Sequence, residues 1–238
     1  AVFFDVSKAF DRVWHKGLLA KLEAVGIRGR LLLWFCDYLT DRMQVVVIKG
    51  TQSDVKMIPA GVPQGSVLGP LLFLVYINDI VKNIESEIKL FADDTSMYLA
   101  LEDVDRRTNI LNQDLNKISA WANNWKVKFN ETKTELLNIQ RDLIHPQPLF
   151  FNNVFLQKVD QHKHLGVILQ STCKWDAHIQ SIVKKANLLI NCLRFYKYRL
   201  SRKSLEIMYK SFILPHFDYA DVVWDNCTKI MADALEKL

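Results

Sequence analysis

Cysteine is scarce in this chain, and its four copies, Cys36, Cys173, Cys192 and Cys227, are far apart with no paired spacing. That distribution argues against a disulfide framework and a structural zinc site, and for a reducing compartment. Long apolar runs are also missing. The longest, Val67 to Ile77, is interrupted by Gly69-Pro70 and reaches only about half of the ~20 residues a membrane span needs. No secretory signal peptide is visible, so an intracellular location, nucleus or cytoplasm, is expected rather than secretion or membrane insertion. Internal repeats and low-complexity segments are absent too, which excludes repeat arrays and compositionally biased tails. The chain opens at Ala1, already inside a strand-like run and without an initiator methionine. It is therefore expected to be a fragment of a longer protein.

What is present is a chain of 238 residues, 50% hydrophobic, enough for one large domain with a smaller appendage. The formal charge of +5 is unevenly spread. Between Lys174 and Lys210, nine Lys or Arg face only Asp176 and Glu206, so this segment carries +7 and the rest −2. A basic C-terminal region beside an acidic centre suits a polyanionic partner bound over a metal site.

Periodicity gives alternating strands and helices. Residues 1–6 read as a buried strand, and Leu18, Leu19, Leu22 and Val25 follow at helical spacing. A second helix is predicted from Arg30 to Leu39, then a hairpin of Gln44 to Ile48 and Val55 to Ile58. The loop 60–66 leads into a helix over 66–81, apolar nearly all round and so predicted to lie inside the domain. Glu87 to Ala100 reads as a hairpin. Val104, Leu111, Leu115, Ile118, Ala122 and Trp125 mark a long amphipathic helix. Short strands are predicted near 127–129, 135–139, 149–151, 154–156 and 164–169. From Trp175 the pattern turns helical, with Ile179, Ile182, Val183, Ala186, Ile190 and Leu193 on one face. The shift near residue 172 is the expected domain boundary, dividing 1–172 from 173–238.

The chemistry concentrates in carboxylates. Asp93-Asp94 interrupts the apolar run Leu90 to Leu99, where a hairpin would turn, and Asp5 interrupts Val2-Phe3-Phe4-Asp5-Val6. Adjacent anions in a half-buried strand repel and are costly to desolvate unless a cation lies between them. Carboxylates at neighbouring strand ends are what a pair of Mg²⁺ ions requires, and such a pair serves phosphoryl transfer. A plain turn explains Asp93-Asp94 equally well when the pair is taken alone, since Asp favours turns. The apolar flanks and Asp5 shift the balance toward the metal.

Three segments then appear in order: Phe4-Asp5-Val6-Ser7-Lys8-Ala9-Phe10-Asp11, Ala60-Gly61-Val62-Pro63-Gln64-Gly65-Ser66-Val67-Leu68-Gly69-Pro70, and Phe91-Ala92-Asp93-Asp94. They resemble motifs A, B and C of reverse transcriptases, with non-LTR retrotransposons of the Jockey/CR1 type as the nearest likeness. Asn130-Glu131-Thr132-Lys133-Thr134 resembles motif D, and His164-Leu165-Gly166-Val167 resembles motif E, the primer grip. The resemblance spans nearly the whole chain and is stronger in the palm than in the thumb. It implies an α+β fold, a right-hand polymerase palm with an antiparallel catalytic sheet followed by an α-helical thumb. It implies RNA template, DNA primer and dNTPs as partners, and two Mg²⁺ ions, with Mn²⁺ as a substitute.

Residue roles follow from the same resemblance. Asp5 and Asp93 would be the main metal ligands, with the Val6 carbonyl assisting and Asp94 completing the acidic set. Phe10 would be the aromatic gate that excludes a 2′-hydroxyl; a plain core Phe is its alternative. Gln64 and Gly65 would approach nucleotide and template, Gly allowing close backbone approach and Pro63 stiffening the loop. Lys133 would protonate or neutralise the leaving pyrophosphate, against the alternative of a surface lysine. His164, Leu165 and Gly166 would turn under the primer end. His162 and His164 form His-x-His, read as strand residues rather than metal ligands, for want of nearby Cys or carboxylate residues in the sequence. Lys184, Lys185, Arg194, Lys197 and Arg199 would grip phosphates, a sequence-independent and salt-sensitive contact. Tyr196 and Tyr198 serve stacking or core packing equally well.

Gly69 stands where many relatives have Ser, and His164 where they often have Tyr. The resemblance implies fingers upstream of motif A, an endonuclease domain and a terminal zinc knuckle, all expected to lie outside this stretch. Activity is therefore expected of a longer protein, with this stretch alone weak or inert. Two rivals remain: a non-catalytic reverse-transcriptase-like RNA-binding module from a decayed or domesticated element, and a group II intron maturase-like protein. The three intact carboxylates count against the first, and Ser7-Lys8-Ala9-Phe10-Asp11 fits the retrotransposon branch better than the second.

Overall fold

The triplet Val2-Phe3-Phe4 has no exposed face, and in the computed structural model, which describes residues 1–139 and 148–238, it forms the buried strand β1 (Val2–Phe4). Helices α1 (His15–Ala24) and α2 (Gly29–Leu39) follow. An exposed arm comes next, made of β2 (Met43–Gln44), β3 (Val47–Ile48), β4 (Thr51–Gln52) and β5 (Lys56–Met57). In it β2 pairs with β5 and β3 with β4. Then come α3 (Leu68–Ile77), the hairpin β6 (Glu87–Phe91) and β7 (Asp94–Tyr98), and α4 (Val104–Trp125). Short strands β8 (Glu135–Leu137), β9 (Phe150–Phe151), β10 (Val154–Phe155), β11 (Gln157–Val159), β12 (Gln161–His164) and β13 (Val167–Gln170) precede α5 (Asp176–Tyr196). The remaining helices are α6 (Arg202–Met208), α7 (Leu214–Asp218), α8 (Asp221–Trp224) and α9 (Lys229–Glu236). Mixed helices and antiparallel sheet make this an α+β fold.

The main sheet has the order β11-β8-β1-β7-β6, which puts β1 in the middle. Val2, Phe3 and Phe4 pair antiparallel with Met97, Ser96 and Thr95 of β7, and β8 flanks the other side of β1. Beneath lies a core of Val2, Phe4, Leu18, Leu22, Phe73, Tyr76, Leu115, Phe129 and Phe151. Burying a side chain of this size contributes roughly 1.5–3 kcal/mol. The Phe4 ring meets Phe129 and Phe151 at 5.4 and 5.3 Å between centroids, tying β1 to segments far along the chain.

Helix α4 begins where Asp103 accepts the Arg106 amide hydrogen, and it ends at Lys126 in the left-handed region with φ of +56°. Its apolar face carries one carboxylate. Asp114 is fully buried and accepts from the Glu85 amide (3.1 Å), the Ser86 amide (2.8 Å), the Ser86 hydroxyl (2.7 Å) and Lys117 (2.8 Å). These bonds fix residues 85–86, and with them the entry to β6. Burial works to raise the Asp114 pKa, but the donors outweigh it and hold the carboxyl below its ordinary value.

The helix predicted over 66–81 is shorter than the pattern suggests, since α3 ends at Ile77 and residues 78–81 tighten into a 3₁₀ turn. It is also not enclosed within its unit. Leu72, Phe73, Tyr76 and Ile77 are buried, whereas Leu71 and Leu74 are 55% and 45% exposed. All-round hydrophobicity says nothing about which side a single unit covers.

Contacts divide the chain into two units, one built mainly from residues 1–136 and 148–158, the other mainly from Val159–Leu238. The division falls earlier than the composition shift at 172. The reason lies in the β12–β13 hairpin, which packs through β13 on α5 and so clusters with the helices. In the second unit Ile179 and Ile182 of α5 pack with Trp224, and His178 is buried beside them.

Candidate active site

Asp5 lies just beyond the end of β1, and the register sets its position. One step past the Phe4–Thr95 pair, Asp5 and Asp94 leave adjacent strands at the same end of the sheet. Asp93 sits beside them in the two-residue turn of the β6–β7 hairpin, closed by the Phe91–Asp94 pair. Ala92 makes that turn with φ of +53°, a conformation uncommon outside Gly, Asn and Asp. Asp5 is half-buried, and Asp93 and Asp94 are exposed. The hairpin turn expected of Asp93-Asp94 is present, and the pair lies at the same sheet end as Asp5.

The backbone beyond Asp5 is held by a second segment. Val6 bridges Phe129, the Ser7 amide donates to the Lys128 carbonyl (2.8 Å), and the Asn130 amide donates to the Asp5 carbonyl (2.7 Å). The strand predicted at 127–129 is therefore a single bridge. It brings the turn at 130–133 against Asp5, a turn closed by Lys133 and Thr134 amides donating to the Asn130 carbonyl. Between them is a cavity of about 370 Å³ lined by Asp5, Val6, Ser7, Lys8, Arg12, Lys128, Asn130 and Lys133. Four cations line this cavity with one carboxylate. Sequence reasoning named Lys133 but missed Lys8, Arg12 and Lys128. The last two come from separate segments, joined by the Val6–Phe129 bridge and the backbone bonds on either side of it.

The loop 60–66 is latched to the turn Phe10–Arg12 that follows Asp5. The Gly61 amide donates to the Val13 carbonyl and the Val62 amide to the Phe10 carbonyl, both at 2.8 Å. Gly61 has φ of +96°, and a Cβ there would lie 2.8–2.9 Å from Asp11 backbone atoms. His15 Nε2 is 2.7 Å from the Gly61 carbonyl, and Gln64 Nε2 donates to Asp11 Oδ1 at 2.9 Å. Gln64 and Gly65 are exposed. Gln64 borders a larger cavity of about 860 Å³ with Lys8, Asp11, Arg12 and Arg42. Phe10 is half-buried, its ring 4.9 Å from that of Phe73 in α3. Phe10 therefore packs against the core without being enclosed by it.

Among the described residues, no three His, Cys, Asp or Glu side chains converge on a common metal-sized point. The three-carboxylate set is therefore brought to one sheet end but not closed. Asp93 is in the turn and Asp94 starts β7, and successive side chains in extended backbone point to opposite faces. The donor chemistry nonetheless fits a hard cation: carboxylate oxygens at adjacent strand ends, open to solvent.

A family model for reverse transcriptase (RNA-dependent DNA polymerase) matches residues 1–169, which contain this whole constellation. The chain belongs to the reverse transcriptase family. It is 29% identical over 238 residues to the RNA-directed DNA polymerase from mobile element jockey of Drosophila melanogaster, covering 95% of this chain and 26% of that protein. The jockey polymerase of Drosophila funebris is 30% identical over 233 residues, covering 93% and 25%. The probable RNA-directed DNA polymerase from transposon BS of Drosophila melanogaster is 28% identical over 242 residues, covering 96% and 27%. The chain thus spans about a quarter of the length of the curated relatives it matches.

In the second unit of this reverse transcriptase chain, His164, Leu165 and Gly166 turn between β12 and β13. Leu165 and Gly166 adopt φ of +46° and +88°. Tyr219 closes the turn from the far end of the unit. Its hydroxyl donates to the Leu165 carbonyl (2.5 Å), and its ring edge lies 3.0 Å from where a Gly166 Cβ would be. His162 and His164 are β12 residues, their ring centroids 6.1 Å apart. Lys184, Lys185, Arg194, Lys197 and Arg199 are all exposed on α5 and its C-terminal extension. Lys197 lies over the Tyr198 ring at 4.8 Å and Arg199 over Phe195 at 5.4 Å. Tyr196 and Tyr198 are 42% and 87% exposed, which favours contact over core packing.

Proposed function

We propose that this chain is the palm and thumb of an RNA-directed DNA polymerase of a non-LTR retrotransposon, with residues 1–172 as palm and 173–238 as thumb. The reaction joins a primer 3′-hydroxyl to the α-phosphorus of a dNTP, breaking the α–β phosphoanhydride bond and releasing pyrophosphate on an RNA template. The observation that carries this reading is the cavity that Asp5 lines together with Lys8, Arg12, Lys128 and Lys133. One carboxylate and four cations on the same cavity wall suit a site that must handle both a metal and a polyphosphate.

Asp5, the Val6 carbonyl, Asp93 and Asp94 are the groups that would hold Mg²⁺, or Mn²⁺ in its place. Bound there, the ions would polarise the attacking hydroxyl and offset charge on the leaving oxygen. Lys133, with Arg12 and Lys128 beside it, neutralises the pyrophosphate as it leaves, and Lys133 can give it a proton. Phe10, braced on Phe73, presents its remaining ring face beneath the incoming sugar. Gln64 and Gly65 border the nucleotide and template. The Leu165–Gly166 turn supports the primer end, and the exposed cations of α5 contact phosphates. Four free thiols fit a reducing, intracellular setting.

The test is primer extension on poly(rA)/oligo(dT) with Mg²⁺, using the protein at the length of its relatives. Asp93→Asn is expected to lower incorporation more than ~100-fold, as loss of a metal ligand costs several kcal/mol of barrier. Equal incorporation by wild type and variant overturns the reading. Mg²⁺-independent RNA binding without incorporation would favour the non-catalytic module instead.

A further inference from the structure

We propose that Asp11 is a positioning residue that sets the orientation of the Gln64 carboxamide, and through it the binding of the incoming nucleotide. The proposal rests on the polymerase reading above and extends it to a residue outside the carboxylate set.

The argument starts from the amide. A Gln side chain has a carbonyl oxygen on one side and an NH₂ on the other, and a half-turn about its last torsion exchanges them. On an exposed loop both orientations are open to Gln64. Asp11 removes that freedom. Its carboxylate, when ionised, only accepts, so the Gln64 group 2.9 Å from Asp11 Oδ1 must be the NH₂. The Gln64 carbonyl oxygen is then committed to the other direction. Both residues line the 860 Å³ cavity together with Lys8, Arg12 and Arg42. A nucleotide entering that cavity meets an acceptor of fixed direction rather than an amide of either sense.

The bond is credible as a positioning device because the backbones beneath it are fixed independently. The Val62–Phe10 and Gly61–Val13 amide bonds, and the His15 contact to the Gly61 carbonyl, lock the loop to the turn that carries Asp11. The absence of a Cβ at Gly61 allows that approach, since its place is 2.8 Å from the Asp11 carbonyl oxygen. With the two backbones held, the side-chain bond orients one group instead of tethering a loop. Its loss would leave the fold in place.

That separation sets the experiment. Steady-state single-nucleotide incorporation is measured for wild type, Asp11→Asn, Gln64→Ala and the double variant, in the protein at the length of its relatives. Asn can donate or accept, so Asp11→Asn no longer dictates the amide sense. It is expected to raise the KM for the correct dNTP about tenfold, the effect of losing one charge-assisted hydrogen bond, with kcat within about twofold. Gln64→Ala should do at least as much. The deciding comparison is the double variant: if Asp11 acts through Gln64, Asp11→Asn adds nothing in the Gln64→Ala background. An additive effect, or an unchanged KM for Asp11→Asn alone, overturns the proposal, because Asp11 then acts by its charge or not at all. Asp93→Asn is run alongside. Undiminished incorporation by that variant, or an inert wild type, overturns the polymerase reading itself rather than only the role of Asp11.

Discussion

The Lys21 ammonium lies 3.8 Å from the centroid of the Trp125 ring, in a cage completed by Trp121 at 4.8 Å and Tyr76 at 5.0 Å. It donates to the Tyr76 carbonyl and to Asp79 Oδ1, both at 2.5 Å, and Asp79 also accepts from the Trp121 indole at 2.9 Å. The side chain is 7% exposed. One cation therefore joins α1, α3 and α4. Burial lowers the Lys21 pKa, and Asp79 pulls it back only in part.

Lys21→Ala should be among the most damaging single changes in the first unit. It strips Asp79 of its cation and empties the cage, and breaking a buried pair from one side costs about 3–5 kcal/mol. Removing both charges is gentler. Lys21→Met with Asp79→Asn refills the cage with apolar volume and should recover a substantial part of that loss. Urea unfolding of wild type and the two variants checks this, and a double variant no better than Lys21→Ala would refute the pairing.

Asp114 gives a pH prediction. Its folded pKa is below the ordinary value of 3.8, so the unfolded chain binds its proton first on acidification. The stability it contributes is fully present above the unfolded pKa, near pH 4, and is lost as pH falls through the folded pKa. Asp114→Asn keeps the shape but weakens acceptance from Ser86, Glu85 and Lys117. At pH 7 it should cost about 1–3 kcal/mol, and its deficit relative to wild type should shrink as pH drops below 4. A deficit that is constant between pH 7 and pH 3 would assign the loss to packing.

How much of this was legible depends on whether the determinant is local. Asp103 ahead of Val104 and the apolar spacing through Trp125 suffice to place α4, and the apolar flanks of Asp93-Asp94 suffice for the β6–β7 hairpin. The carboxylate segments pointed to the candidate site because each motif is contiguous. Lys21 was invisible for the opposite reason. It lies between Leu18, Leu19 and Leu22 on a helix whose pattern treats it as solvent-facing, and its partners arrive from residues 76, 79, 121 and 125. Val25, counted on the apolar face, is 65% exposed. Arg12 and Lys128 escaped notice likewise, since charge counting cannot tell that Val6 bridges Phe129. Long-range pairing, not residue type, decides which charges enter a site.

Gly61 offers the sharpest steric test of how the loop 60–66 meets the turn after Asp5. Two independent costs fall on any side chain there. The backbone has φ of +96°, unfavourable for residues with a Cβ by about 1–3 kcal/mol. A Cβ would also lie 2.8–2.9 Å from the carbonyl oxygen, carbonyl carbon and Cα of Asp11, which are backbone atoms unable to rotate away. Gly61→Ala must therefore either strain the turn or push the loop off it, breaking the Gly61–Val13 and Val62–Phe10 bonds. Thermal unfolding should register a loss of about 2–4 kcal/mol. Because the displaced loop carries Gln64, dNTP incorporation should fall further than the stability loss accounts for at temperatures where the variant stays folded. Full incorporation by a folded Gly61→Ala protein would show that the loop tolerates a second position, and that the contact with Asp11 is not what aligns it.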